Sequence, residues 1–142
     1  MDNNVAFGLK GIEIINSVIK APKESREIST FNFDIQFKSI ANLKENIVSI
    51  VMDVIVKDTG DQMGQFSAVF NYGVDDLEKL ATVREINQVE VPQPLLTTLL
   101  GISASTMRGL MFASFKGTFL HSAILPLIDI AALQPEELAV SS

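Results

Sequence analysis

The chain has 142 residues, enough for one domain with a real core and too few for two. A net charge of -6, with 11 Lys and Arg scattered rather than clustered, excludes a phosphate-tracking surface, so no nucleic acid is expected as a partner. The lack of cysteine excludes disulfides, thiolate catalysis and thiolate metal sites.

The first expected strand is Ile12–Ala21, with isoleucine or valine on both faces, stopped by Pro22, which removes an amide donor. After a charged loop to Ser29, Thr30–Lys38 has the cleanest two-residue period. Phe31, Phe33, Ile35 and Phe37 share one face, opposite Asn32, Asp34, Gln36 and Lys38. Ile47–Lys57 puts Val48, Ile50, Met52, Val54 and Val56 on one apolar face and a mixed set including Asp53 on the other. Asp58-Thr59-Gly60-Asp61 signals a turn, and Gln62–Tyr72 returns as its hairpin partner with Phe66, Ala68, Phe70 and Tyr72 facing one way.

Asp75, with Glu78 three residues on, reads as the capping box of a short helical turn. Ala81–Val91 is ambiguous, with Val89 and Val91 able to form a short extended piece. Pro94 suits the start of a long helix over Pro92–Gly117. Beyond it come a loop, a short extended or irregular segment at Ala123–Ala132 containing Pro126, and a weak turn near Pro135–Ala139. The expected architecture is α+β: one domain over residues 1–142, core about 12–133, with a four-stranded antiparallel sheet packed with one long helix and a short C-terminal segment.

The helix carries two kinds of surface. Gly101, Ser105, Gly109, Ala113 and Gly117 recur every four residues as a stripe of small side chains. Two readings stand: the stripe lies on the sheet, or it meets a helix of another copy. In the second, Gly101, Ser105, Arg108, Gly109 and Ala113 form an oligomer interface. Leu95 to Phe115 carry bulky side chains on more than one face, so the helix is expected to be covered on more than one side. Nine Phe against one Tyr also suggests more apolar surface than a small monomer hides, hence an oligomer or a client groove.

No constellation carries chemistry. His121 is the sole histidine, Asp53 has no carboxylate partner at useful spacing, a helix cap accounts for Asp75, Asp76 and Glu78, and Gly8–Gly11 is too short for a phosphate loop. No enzyme activity, metal or cofactor is expected. The opening Met1-Asp2-Asn3-Asn4 lacks a basic leader, and no run of 18 apolar residues exists, so a cytoplasmic location without membrane insertion is expected. Exposed Phe and Met would suit a surface that holds extended apolar segments by area. That surface is placed among Ile28, Phe31, Met63, Phe66 and Phe70 with the helix edge Phe112 and Phe115, although Phe31, Phe66 and Phe70 also fit a core.

The element order, with Ile19-Lys20-Ala21-Pro22 closing the first strand, the Phe31–Phe37 strand and the Ile47–Tyr72 hairpin, resembles the SecB protein-export chaperone family. Lys116-Gly117-Thr118-Phe119 looks like that family's arginine-glycine-(small)-phenylalanine after its long helix. Leu125-Pro126-Leu127-Ile128 and Leu133 look like its apolar tail. The likeness covers roughly residues 12–133. It implies a homotetramer built as a dimer of dimers, which holds unfolded or pre-secretory polypeptides without ATP and delivers them to the Sec translocase through SecA. A SecB-like chaperone or adaptor dedicated to one fixed partner, such as an antitoxin, fits the same residues.

Overall fold

Four long strands follow from the two-residue alternation: β1 (Phe7–Ile19), β2 (Asn32–Asn42), β3 (Ile47–Asp58) and β4 (Asp61–Val74). They come from a computed structural model that describes residues 5–20, 31–58, 60–85, 88–127 and 140–141. The strands are antiparallel and lie in the order β1-β4-β3-β2. After β4 come α1 (Leu77–Leu80), a small hairpin of β5 (Thr82–Glu85) and β6 (Gln88–Glu90), then the long helix α2 (Gln93–Phe115). The two-residue β7 (Val140–Ser141) pairs in parallel with the outer edge of β2.

The β3–β4 hairpin is the centre of the core. Val48, Ile50, Met52, Val54 and Val56 are fully buried on one face of β3, and Phe66, Ala68, Phe70 and Tyr72 lie beside them on β4. Phe33, Ile35 and Phe37 of β2 extend the same face, with Phe37 across from Met52. α2 closes that face, packing over β3 and β4. Its row Leu95, Leu99, Ser103, Met107, Met111 and Phe115, spaced by four, is buried on the sheet.

Several boundaries differ from expectation, each for a local reason. β1 starts at Phe7 rather than Ile12, because Phe7, Gly8 and Leu9 already pair with Val74, Gly73 and Tyr72 of β4. β2 runs on to Asn42, because Ser39–Asn42 pair with Ile47–Ile50 across a tight turn. The capping box at Asp75 does not form. Asp76 occupies the N-cap in the left-handed region without a side-chain hydrogen bond, and the Leu77 amide instead donates to Asn46 Oδ1 at 3.2 Å. α2 stops at Phe115, where Lys116 turns extended (ψ 130) and Gly117 takes φ 82, a type II turn closed by the Thr118 amide donating to the Phe115 carbonyl at 3.0 Å. The ambiguous stretch before α2 holds the β5–β6 hairpin, and β7 was unforeseen. Residues 128–139, and so the expected turn at Pro135–Ala139, lie outside the described residues.

Candidate functional site

The small-residue stripe of α2 points away from the sheet. It is offset by two residues from the buried row, about 200° around the helix, so the two rows lie on opposite faces. Ser105, Gly109 and Ala113 are exposed, Gly101 and Arg108 half-buried, and a Cβ at Gly101 or Gly109 would meet nothing within 4 Å. The reading that placed the stripe on the sheet is therefore corrected: bulky side chains fill that contact, and glycine is not needed there.

The outer face of α2 is also apolar in part. Ile102 and Phe112 are exposed, Phe112 at 43%. His121, brought back by the turns after Gly117, lies with its ring centroid 5.8 Å from that of Phe112. Phe119 and Ile124 are exposed nearby in the chain. From Val91 to Leu127 the sequence carries no carboxylate, and its charges are Arg108 and Lys116.

The residues expected to hold a client divide sharply. Met63, Phe66, Phe70 and Phe115 are core residues at 1% exposure or less, with Phe66 and Phe115 in an edge-to-face contact at 6.3 Å. Buried in the protomer, they present no surface to a partner. Phe31 is half-buried at the rim of the core, Phe112 is exposed, and Ile28 lies outside the described residues.

A second apolar surface escaped the sequence reading. On β1, Phe7, Leu9, Ile12, Ile14 and Ile19 each sit opposite a buried residue of β4, so they lie on the helix side of the sheet, yet they are 38–52% exposed. α2 covers β3 and β4 and leaves them bare. The signal was present in the isoleucines on both faces of the first expected strand. Two bulges, at Lys10 and Ile15, hid the alternation.

The opposite face of the sheet is polar. Asp53 Oδ1 accepts hydrogen bonds from Gln65 Nε2 at 3.0 Å and from Ser67 Oγ, and Ser49 Oγ donates to Asn71 Oδ1 at 2.6 Å. Lys57 and Asp34 form an ion pair at 2.5 Å, open to solvent and of little energetic weight. These bonds satisfy Asp53 within the sheet. At the end of the sheet an open hollow of about 380 Å³ is lined by Phe7, Lys10, Glu45, Asn46 and Asp75 among others. Among the described residues no three His, Cys, Asp or Glu side chains are grouped to hold a metal ion. By length and composition α2 could cross a bilayer; Leu95, Leu99, Met107, Met111 and Phe115 are buried, while Ile102 and Phe112 are exposed.

Compared with known proteins, the chain matches no family model, and no curated protein matches it.

Proposed function

We propose that the chain is an ATP-independent holdase of SecB type, working as a homotetramer and keeping unfolded or pre-secretory polypeptides from aggregating. The observation that supports this is an apolar surplus: the protomer completes its core with α2 on β3 and β4 and still exposes large side chains on β1 and on the outer side of α2. Apolar surface of this kind binds extended segments by area, with little demand on sequence. The client surface is assigned to Phe112, Ile102 and Phe119, all exposed. Delivery to the Sec translocase through SecA belongs to the same reading by resemblance alone.

A second reading, an adaptor dedicated to one fixed partner, draws on a specific feature. The acid-free stretch from Val91 to Leu127, with Arg108 and Lys116, would select an acidic apolar segment over a generic unfolded chain.

The test is light scattering of a slow-refolding substrate with and without the protein, alongside size-exclusion chromatography with mass measurement. The holdase reading expects suppressed aggregation and a tetramer; a monomer that suppresses nothing ends it. Capture of one protein, with no binding to generic unfolded chains, favours the adaptor.

A further inference from the structure

Gly8 of β1 lies opposite Gly73 of β4, and the pair leaves bare backbone at the end of the sheet, on the face turned away from the helix. A glycine weakens a strand, and it marks a bulge, a bend or a close approach by something else. Gly73 has its reason within the fold: a Cβ there would stand 2.6 Å from Lys10 Cε, whose chain crosses it. Gly8 has no such reason. Its φ is not positive, its neighbours Phe7 and Leu9 pair in register, and a Cβ there would meet nothing within 4 Å. What the missing side chain leaves is part of the floor of the open hollow of about 380 Å³.

The walls of that hollow carry both signs of charge, from three elements. Lys10 comes from the first bulge of β1, Glu45 and Asn46 from the turn between β2 and β3, and Asp75 from the end of β4. Among the described residues, the Lys10 ammonium and the Glu45 and Asp75 carboxylates form neither an ion pair nor a hydrogen bond. The walls are nevertheless tied to one another. The Val74 amide donates to the Asn46 carbonyl at 2.8 Å, and the Asp75 amide donates to the Ala6 carbonyl at 2.9 Å. The hollow therefore exists before any ligand arrives, which lowers the entropic cost of filling it.

The charges select the ligand. A simple anion would meet two carboxylates, and a metal ion would meet Lys10 with too few acidic ligands around it. A basic α-amino acid carries one carboxylate and two cations, the inverse of one ammonium and two carboxylates. We propose that this hollow binds a free basic amino acid, arginine in preference to lysine. The ligand's carboxylate lies on Lys10, its two cationic groups take Glu45 and Asp75, and its stem rests on the backbone of Gly8 and Gly73. Arginine is preferred because a guanidinium bonds a carboxylate through two parallel N–H groups, which an ammonium cannot do.

Titration calorimetry of the full chain with L-arginine at low salt is expected to show saturable one-to-one binding. Agmatine, which lacks the carboxylate, and L-citrulline, which lacks the side-chain charge, should each bind at least about tenfold more weakly. Lys10→Gln should remove the advantage of arginine over agmatine, and Glu45→Gln should shrink its advantage over citrulline. Gly8→Val fills the floor where the space is open and supplies a good strand former, so it should fold as wild type does and lose arginine binding. Absence of saturable arginine binding up to about 10 mM overturns the proposal. So does arginine binding that Gly8→Val and Lys10→Gln both leave unchanged, or agmatine and citrulline binding as tightly as arginine. None of these measurements involves an unfolded client, so the holdase reading stands or falls separately.

Discussion

Tyr72 of β4 and Ser103 of α2 meet inside the core, with Oη and Oγ 2.8 Å apart, and the same phenol donates to the Leu99 carbonyl at 3.4 Å. This is a polar contact within a mostly apolar layer, and it links the sheet to the helix at one height. Apolar packing alone tolerates small slides of a helix on a sheet, whereas a satisfied buried hydrogen bond selects one seating. Tyr72→Phe is expected to lower stability by about 1 kcal/mol, read as a shift in the urea midpoint with an unchanged slope. The loss stays small because the Ser103 hydroxyl can still donate to the carbonyl one turn back.

The same tyrosine sets an alkaline limit. Burial pushes its phenol above the ordinary value of 10.0, and the bond with Ser103 opposes that rise without cancelling it. In the unfolded chain the phenol ionises near the ordinary value, while in the native protein it keeps its proton to higher pH. Its contribution is therefore fully present below about pH 10 and is lost as pH rises through the raised native value. Because Tyr72 is the sole tyrosine, Tyr72→Phe should lack this step. Urea unfolding followed from about pH 8 to about pH 11 should show wild type losing stability relative to the variant at the alkaline end.

Two glycines should respond in opposite directions to the same substitution. At Gly64 an added Cβ would stand 2.6 Å from Leu120 Cδ1 and 3.1 Å from the Val18 carbonyl, and Leu120 is buried. Gly64→Ala should cost about 1–3 kcal/mol through overpacking. At Gly109 the space is open and the residue is mid-helix, so Gly109→Ala should gain roughly 0.5–1 kcal/mol. Thermal melts of the two variants should move apart around wild type. If the outer face of α2 joins dimers into a tetramer, Gly109→Leu should leave the protomer folded and reduce the assembly to dimers.

Much of the fold was legible because the core face is written with unbroken alternation. Val48 to Val56 and Phe66 to Tyr72 are buried as their spacing required, and the helix was found from its length and the prolines before it. The helix face was legible in principle. The small and bulky rows both step by four and differ by two residues, so they had to oppose one another, and only the bulky one could fill the space over β3 and β4. Local spacing could not show that Phe66 and Phe70 are core while Ile12 and Ile14 are bare. All four face the same side of the sheet, and what separates them is how far the single helix reaches across it. The Asn46–Leu77 bond was equally hidden, since it joins residues 31 apart, and a nearby acid offered a local substitute.

Ser39 tests how complete the core is. It lies on the helix side of β2, opposite Ile50, fully buried, and its Oγ has no hydrogen-bond partner among the described residues. A buried hydroxyl without a partner keeps its desolvation penalty and returns nothing for it. Ser39→Ala removes the oxygen and little volume, so it should be neutral or stabilise by up to about 1 kcal/mol in chemical denaturation. A clear loss of stability would mean that the hydroxyl is bonded in solution.

Phe66 and Phe112 were expected to share one role, and their surroundings now assign them different ones. Phe66 is fully buried against Phe115, so Phe66→Ala should cost about 3–5 kcal/mol and reduce any activity only through loss of the fold. Phe112 stands 43% exposed beside His121, so Phe112→Ser should change stability by no more than about 0.5 kcal/mol. If the outer face of α2 holds clients, that variant should suppress aggregation several times less well at equal concentration while melting as wild type does. A Phe112→Ser protein with full activity would move the client surface off the helix, leaving the exposed side of β1 as the remaining large apolar area. A second measurement separates those outcomes: in the presence of a permanently unfolded client, hydrogen exchange should slow at the amides around the contacted element, at the C-terminal turn of α2 in the first case and along the edge of β1 in the second.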